Sequence, residues 1–235
     1  MQRPFSLMLT LTASMVASAI PAVAARADVS PAPAPKPWLE AKIKEAKKLA
    51  DRRTEPGTPA AEAWQKDAQA FIDELVDWDA MISRSLGSKW DDLKPAQRER
   101  FASLLRRLIR SSFQSKLRLA LEERDEKPGQ VSIQWLEEDV EPDEATLAAR
   151  VTAERRRVDL EVDLNRHGEH WKMADLTIDG AGTVRMYRSS FRQVMREEGW
   201  DGLIARLEQK LEDVEAGRAD FMPGGGSSEA PSKKR

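Results

Sequence analysis

Residues 157–164 read "RVDLEVDL", with Val158, Leu160, Val162 and Leu164 alternating with Asp159, Glu161 and Asp163. A period of two sends the four apolar side chains to one face of a strand and the three carboxylates to the other. A strand with one dry and one wet face belongs in an antiparallel sheet. Working outward, the polar turn "NRHGEH" (165–170) leads into a second strand near 170–179, and two more are expected near 131–138 and 145–153. In "WKMADLTIDG" (171–180) the alternation slips: Trp171 and Met173 share one parity, Leu176 and Ile178 the other. A slip of one residue predicts a bulge near Ala174–Asp175, with the Asp175 carboxylate tethered to backbone N–H groups or to a basic side chain such as Arg188.

Helical spacing flanks the strands on both sides. "WLEAKIKEAKKLAD" ends at the Pro56–Gly57 breaker, a second helix covers about 60–76, and a short one over 79–86 stops at Gly87. Lys94-Pro95 then opens a long helix in which Phe101, Leu104, Leu105, Leu108, Ile109, Phe113 and Leu117 form one apolar stripe. After the strands, Val184, the single tyrosine Tyr187, Phe191 and Val194 recur at helical spacing, with Thr183 as N-cap and Gly199 as C-cap. A last helix carries Leu203, Ile204, Leu207, Leu211 and Val214. The order helices, strands, helices gives an α+β domain: about four antiparallel strands with helices packed on one face.

The ends of the chain differ in kind from the middle. Residues 1–24 hold one basic residue, an apolar run and small residues at Ala22 and Ala24, which reads as a cleavable signal peptide; Ala25 and Ala27 fit a second cleavage site. Residues 25–37 are a Pro/Ala-rich linker, 38–216 the folded domain, and 217–235 a Gly/Ser-rich tail. Export and the absence of a further membrane-spanning run imply a periplasmic protein without stable membrane insertion.

Chemistry is sparse. There is no cysteine, which removes disulfides, thiolate metal sites and thiol nucleophiles. The two histidines, His167 and His170, lie in a hairpin turn without a third metal ligand in view, and read as a solvated turn. No nucleophile elbow or phosphate loop is present, and a net charge of −2 offers no bulk attraction for nucleic acid. Arg106, Arg107 and Arg110, on the back of the long helix, read as solvated surface. Asp175 is the one carboxylate placed for a special role. No cofactor or metal is expected.

Three ordered blocks carry a resemblance. "DWDAMISRSLGSKWDDLKPAQRERFASLLRRLI" (77–109), "WKMADLTIDGAGTVRMYRSSF" (171–191) and "GWDGLIARLEQKL" (199–211) resemble the MlaC family of periplasmic phospholipid-binding proteins, also called the toluene-tolerance family. The chain departs from the pattern at "DGAGTV" (179–184), where apolar or Ser-Leu residues are common, and at Phe113, where a tyrosine is frequent.

The resemblance implies a twisted antiparallel sheet and helices enclosing an apolar cavity for acyl chains. It implies a carrier of phospholipid between an outer-membrane lipoprotein complex and an inner-membrane ABC transporter with an MCE-domain component, maintaining outer-membrane lipid asymmetry. Each buried CH₂ contributes about 0.8 kcal/mol, so hiding acyl chains supplies the driving force. On that basis Val151, Val158, Leu160, Val162 and Leu164 are expected on one wall of the cavity. Leu105, Ile109 and Phe113 are expected opposite, with Val184, Tyr187 and Phe191. Two other readings stay open: an adaptor that binds proteins without a ligand, and a small-molecule enzyme using Asp175.

Overall fold

The alternation at 157–164 is built into β3 (Arg156–His167), the central strand of a five-stranded antiparallel sheet in the order β1 to β5. Its neighbours are β1 (Val131–Val140), β2 (Glu144–Ala153), β4 (His170–Ile178) and the two-residue β5 (Ala181–Gly182). The computed structural model of the chain describes residues 33–52, 54–55, 57–122, 131–153 and 156–218. The expected signal peptide, the linker up to residue 32 and the tail from residue 219 lie outside these residues. Among the described residues there are five α-helices: α1 (Pro35–Ala50), α2 (Pro59–Leu75), α3 (Trp78–Leu86), α4 (Pro95–Glu122) and α5 (Thr183–Glu215). The molecule is therefore α+β, an open antiparallel sheet with helices packed against it, and none of the described helices is long and apolar enough to cross a membrane.

Register aligns the apolar positions into rows. Ile133, Val151 and Val158 form one row, and Trp135, Ala149, Leu160 and Ile178 the next. Leu147, Val162 and Leu176 form a third, and Ala145, Leu164 and Met173 a fourth. Continuity of these rows across β4 depends on a bulge: Asp163 faces Asp175 while Leu164 faces Met173, so Ala174 is the extra residue. The bulge restores Leu176 and Ile178 to the apolar face, as the parity slip predicts. A second irregularity at Leu136 of β1 went unread in the sequence.

Local signals explain the helix ends. Thr58 caps α2, its side chain accepting from the Ala61 N–H at 3.2 Å, with Pro59 at the first helical position. Gly87 ends α3 at φ 59, a left-handed conformation that favours glycine. Pro35, Lys36 and Pro37, expected in the linker, instead form the first turn of α1, where a missing N–H costs nothing. Three indole N–H groups hold α1 in place. Trp171 donates to the Pro33 carbonyl at 2.8 Å, Trp135 to Glu40 at 2.9 Å and Trp64 to the Leu49 carbonyl at 2.9 Å.

The helix α5 contains the predicted break. Gly199, at φ 70 and ψ −166, interrupts it in a region open essentially to glycine alone. Beyond the break, Leu203, Ile204, Leu207, Leu211 and Val214 are buried. Arg100 pairs with Glu208 at 2.8 Å and Arg107 with Glu215 at 2.9 Å, so this half of α5 runs alongside α4 in the same direction.

Candidate functional site

The apolar interior is divided. One cluster lies among the helices, centred on Phe101, Leu105, Leu108, Ile82, Val184, Tyr187 and Phe191. The other lies between α1 and the sheet, built from Trp38, Leu39, Ala145, Leu147, Val162, Leu164 and Trp171. Leu75 and Met173 pack against both. Met173 is also fixed by its backbone, since its carbonyl accepts the Asp77 N–H at 2.9 Å.

Each expected wall residue has a definite place in this arrangement. Val162 and Leu164 are buried in the sheet cluster, while Val151, Val158 and Leu160 are only half-buried. Leu105, Val184, Tyr187 and Phe191 are buried in the helix cluster, with Ile109 and Phe113 half-buried at its margin. The Phe113 ring stacks on Phe71 at 5.9 Å. The structure thus gathers the helix residues in one cluster and the strand residues along the other. The sheet rows grow less covered away from α1, ending at Ile133, which is 38 % exposed.

Tyr187 is a packing residue in this setting. Its ring lies 5.6 Å from that of Phe191 at an interplanar angle of 6°, and Phe191 in turn meets Phe101 edge-on at 5.4 Å. Burial pushes the phenol's pKa up, and the nearby Asp175 carboxylate adds to the shift, so the ring stays neutral.

Asp175 takes the backbone tether. Its Oδ1 accepts the Leu176 N–H at 2.8 Å and the Val184 N–H at 3.0 Å, which ties the bulge to the first turn of α5. The expected N-cap Thr183 serves otherwise, donating its hydroxyl to the Leu176 carbonyl at 2.8 Å, and the cap position is Gly182. Arg188 points elsewhere and donates to the Arg84 carbonyl at 2.7 Å. Burial raises the Asp175 pKa, against the pull of the two backbone N–H donors.

Sequence reasoning missed a second carboxylate. Asp77, 4 % exposed, caps α3 through the Ala80 N–H at 3.1 Å and binds Asn165 at 2.7 Å and His167 at 2.9 Å. Burial works to raise its pKa, but the hydrogen bonds from His167, Ala80 and Asn165 outweigh it and hold the carboxyl below its usual range. His167 is therefore a fastening between the β3–β4 turn and α3 rather than a purely solvated residue. The signal available was Asp77 itself, a cap residue immediately before a helix. The arginines of α4 also differ from expectation: Arg106 and Arg110 lie 5.5 Å and 5.6 Å from the Trp78 ring centre, and Arg110 pairs with Asp73. Among the described residues no group of three or more His, Asp or Glu is placed to hold a metal ion.

Comparison with known proteins follows the same lines. Among solved structures, the chain is similar to a phospholipid-binding protein from Ralstonia solanacearum, determined in complex with a phospholipid, with a TM-score of 0.60 and 14 % identity over 76 % of this chain and 97 % of that one. At that identity the likeness is one of fold. No curated protein sequence matches. A family model, the MlaC protein, matches residues 45–209, from α1 through the buried part of α5 beyond Gly199. That match covers more than half of the sequence, and the chain belongs to the MlaC family.

Proposed function

We propose that this protein is a soluble periplasmic phospholipid carrier that shuttles lipid between an outer-membrane lipoprotein complex and an inner-membrane ABC transporter with an MCE-domain component, and so helps maintain outer-membrane lipid asymmetry. The observation that carries the reading is the divided apolar interior in a chain of the MlaC family. Half-buried Val151, Val158, Leu160, Leu176 and Ile178 offer apolar surface along the strands, and Ile109 and Phe113 offer it on the helix side. A fold that leaves such rows half-covered has apolar area for acyl chains to bury. The likeness in fold to a protein solved with bound phospholipid supports the same ligand class.

Asp175 favours this reading over an enzymatic one. Its Oδ1 is engaged by two backbone N–H groups, a positioning role, and burial keeps the neighbouring Tyr187 phenol neutral.

The test is direct. The mature protein, purified without detergent, is denatured and extracted, and the extract is analysed by mass spectrometry. Stoichiometric phospholipid is expected. An empty extract, with no uptake from labelled phospholipid vesicles, overturns the carrier and favours an adaptor that binds proteins alone.

A further inference from the structure

The half of α5 before Gly199 carries a feature that the lipid reading does not use. Arg185, Arg188, Arg192 and Arg196 follow i, i+3, i+7 and i+11, a line about 16 Å long on one side of the helix. With Ser189 and Gln193 they line a recess of about 330 Å³. Among the described residues none of the four arginines is in an ion pair, whereas Arg100, Arg107, Arg110 and Arg206 each have a carboxylate partner. The carboxylates nearest in sequence are already engaged: Glu197 accepts from Gln193 at 3.0 Å, and Glu198 is held by Arg206.

Two of the arginines are held in position by backbone. Arg185 donates to the Gly180 carbonyl, and the Arg188 Nε donates to the Arg84 carbonyl at 2.7 Å. A guanidinium has five N–H donors, so each anchored side chain keeps donors for an incoming acceptor while its rotamer entropy is already spent. The Arg188 guanidinium sits within 3.4 Å of the point where a Cβ on Gly87 would stand, so the α3 cap leaves room for it.

Four arginines and no lysine in this line favour planar, two-pronged acceptors, carboxylate or phosphate. The described surface argues against a bilayer as the occupant. The exposed large apolar residues, Ile43, Ile133, Leu136 and Val140, lie on other elements, so the stripe has no apolar anchor to insert. A recess lined by one helix side also fits a protruding segment better than a plane. We propose that the arginine-lined recess of α5 docks a segment of a partner protein that presents carboxylates in a row.

The test uses the full chain in its native cell, with the photo-crosslinking residue benzoylphenylalanine at Gln193 and the crosslinked peptide mapped by mass spectrometry. The expected product joins the recess to one protein segment bearing at least two carboxylates. R192E/R196E, which alters two exposed side chains without a hydrogen bond among the described residues, should lower the yield at least tenfold. Replacing the mapped carboxylates by arginine should restore it. Lipid extracted from R192E/R196E should equal that from the wild type, so a failed docking site is distinguishable from a failed carrier. Crosslinking to lipid alone, no crosslink, a segment without carboxylates, or a yield indifferent to R192E/R196E overturns the proposal. A fall in bound lipid with the charge reversal overturns it too, since the recess would then serve the lipid site.

Discussion

The carboxylate of Asp77 and the imidazole of His167 lie 2.9 Å apart although 90 residues separate them in the chain. The contact fastens the start of α3 to the β3–β4 turn, and Asn165 adds a second bond from the same turn. Asp77→Ala removes a helix cap and strands two partners, so it should cost about 2–3 kcal/mol in urea unfolding. His167→Ala, removing one exposed donor, should cost under about 1 kcal/mol.

Acid should weaken the same joint. The folded-state pKa of Asp77 lies below its unfolded value, so the unfolded chain takes up the proton first as pH drops. The stabilisation is complete at neutral pH and is lost as pH falls through the usual carboxylate range toward the folded pKa. Thermal melts from pH 6 down to about pH 3 should show this loss, and Asp77→Asn should flatten the curve.

Asp175 behaves with the opposite sign. Its folded pKa is raised, so its ionisation opposes folding, and the contribution of its neutral form is lost as pH rises through the folded pKa. Asp175→Asn keeps an acceptor for the Leu176 and Val184 N–H groups while removing the buried charge. It should match or exceed the wild type in stability at pH 7, whereas Asp175→Ala should lose about 1–2 kcal/mol. Denaturant midpoints of the two variants decide it.

Residues of the divided interior should separate stability from binding. Leu105, fully buried among the helices, should cost about 2–5 kcal/mol when changed to Ala. Leu160 is half-buried on the sheet face. Leu160→Lys should cost about 1 kcal/mol yet remove most of the extractable phospholipid, because a charge would stand against acyl chains. Equal lipid content in both variants would place the ligand elsewhere.

Gly199 offers a purely backbone test. A Cβ there would meet nothing within 4 Å, so the cost of Gly199→Ala comes only from its φ of 70, about 1–3 kcal/mol. Circular dichroism melts should show it without loss of helix content.

Much of this architecture was legible because it is local. The alternation in 157–164 and the parity slip after Met173 gave the strands and the bulge at Ala174, since strand side chains obey a period of two whatever surrounds them. Gly87 and Gly199 marked their helix ends because few other residues take those conformations. The Asp77–His167 bond was not legible, because its partners meet only after the sheet and helices have docked. Nor was the placement of Arg106 and Arg110 over Trp78: sequence spacing showed them off the apolar stripe but not which ring lay beside them. The arginine recess escaped for a similar reason. Spacing reveals a row of charges, but only the fold shows that carboxylates leave it unpaired.

Among the described residues, Leu75 and Met173 touch both apolar clusters and form the seam between them. Hydrogen bonds pin the same line, since the Met173 carbonyl accepts the Asp77 N–H and the Asp77 carboxylate holds Asn165 and His167. A change at Leu75 or Met173 should therefore be felt on both sides at once, as a loosened keystone slackens both halves of an arch.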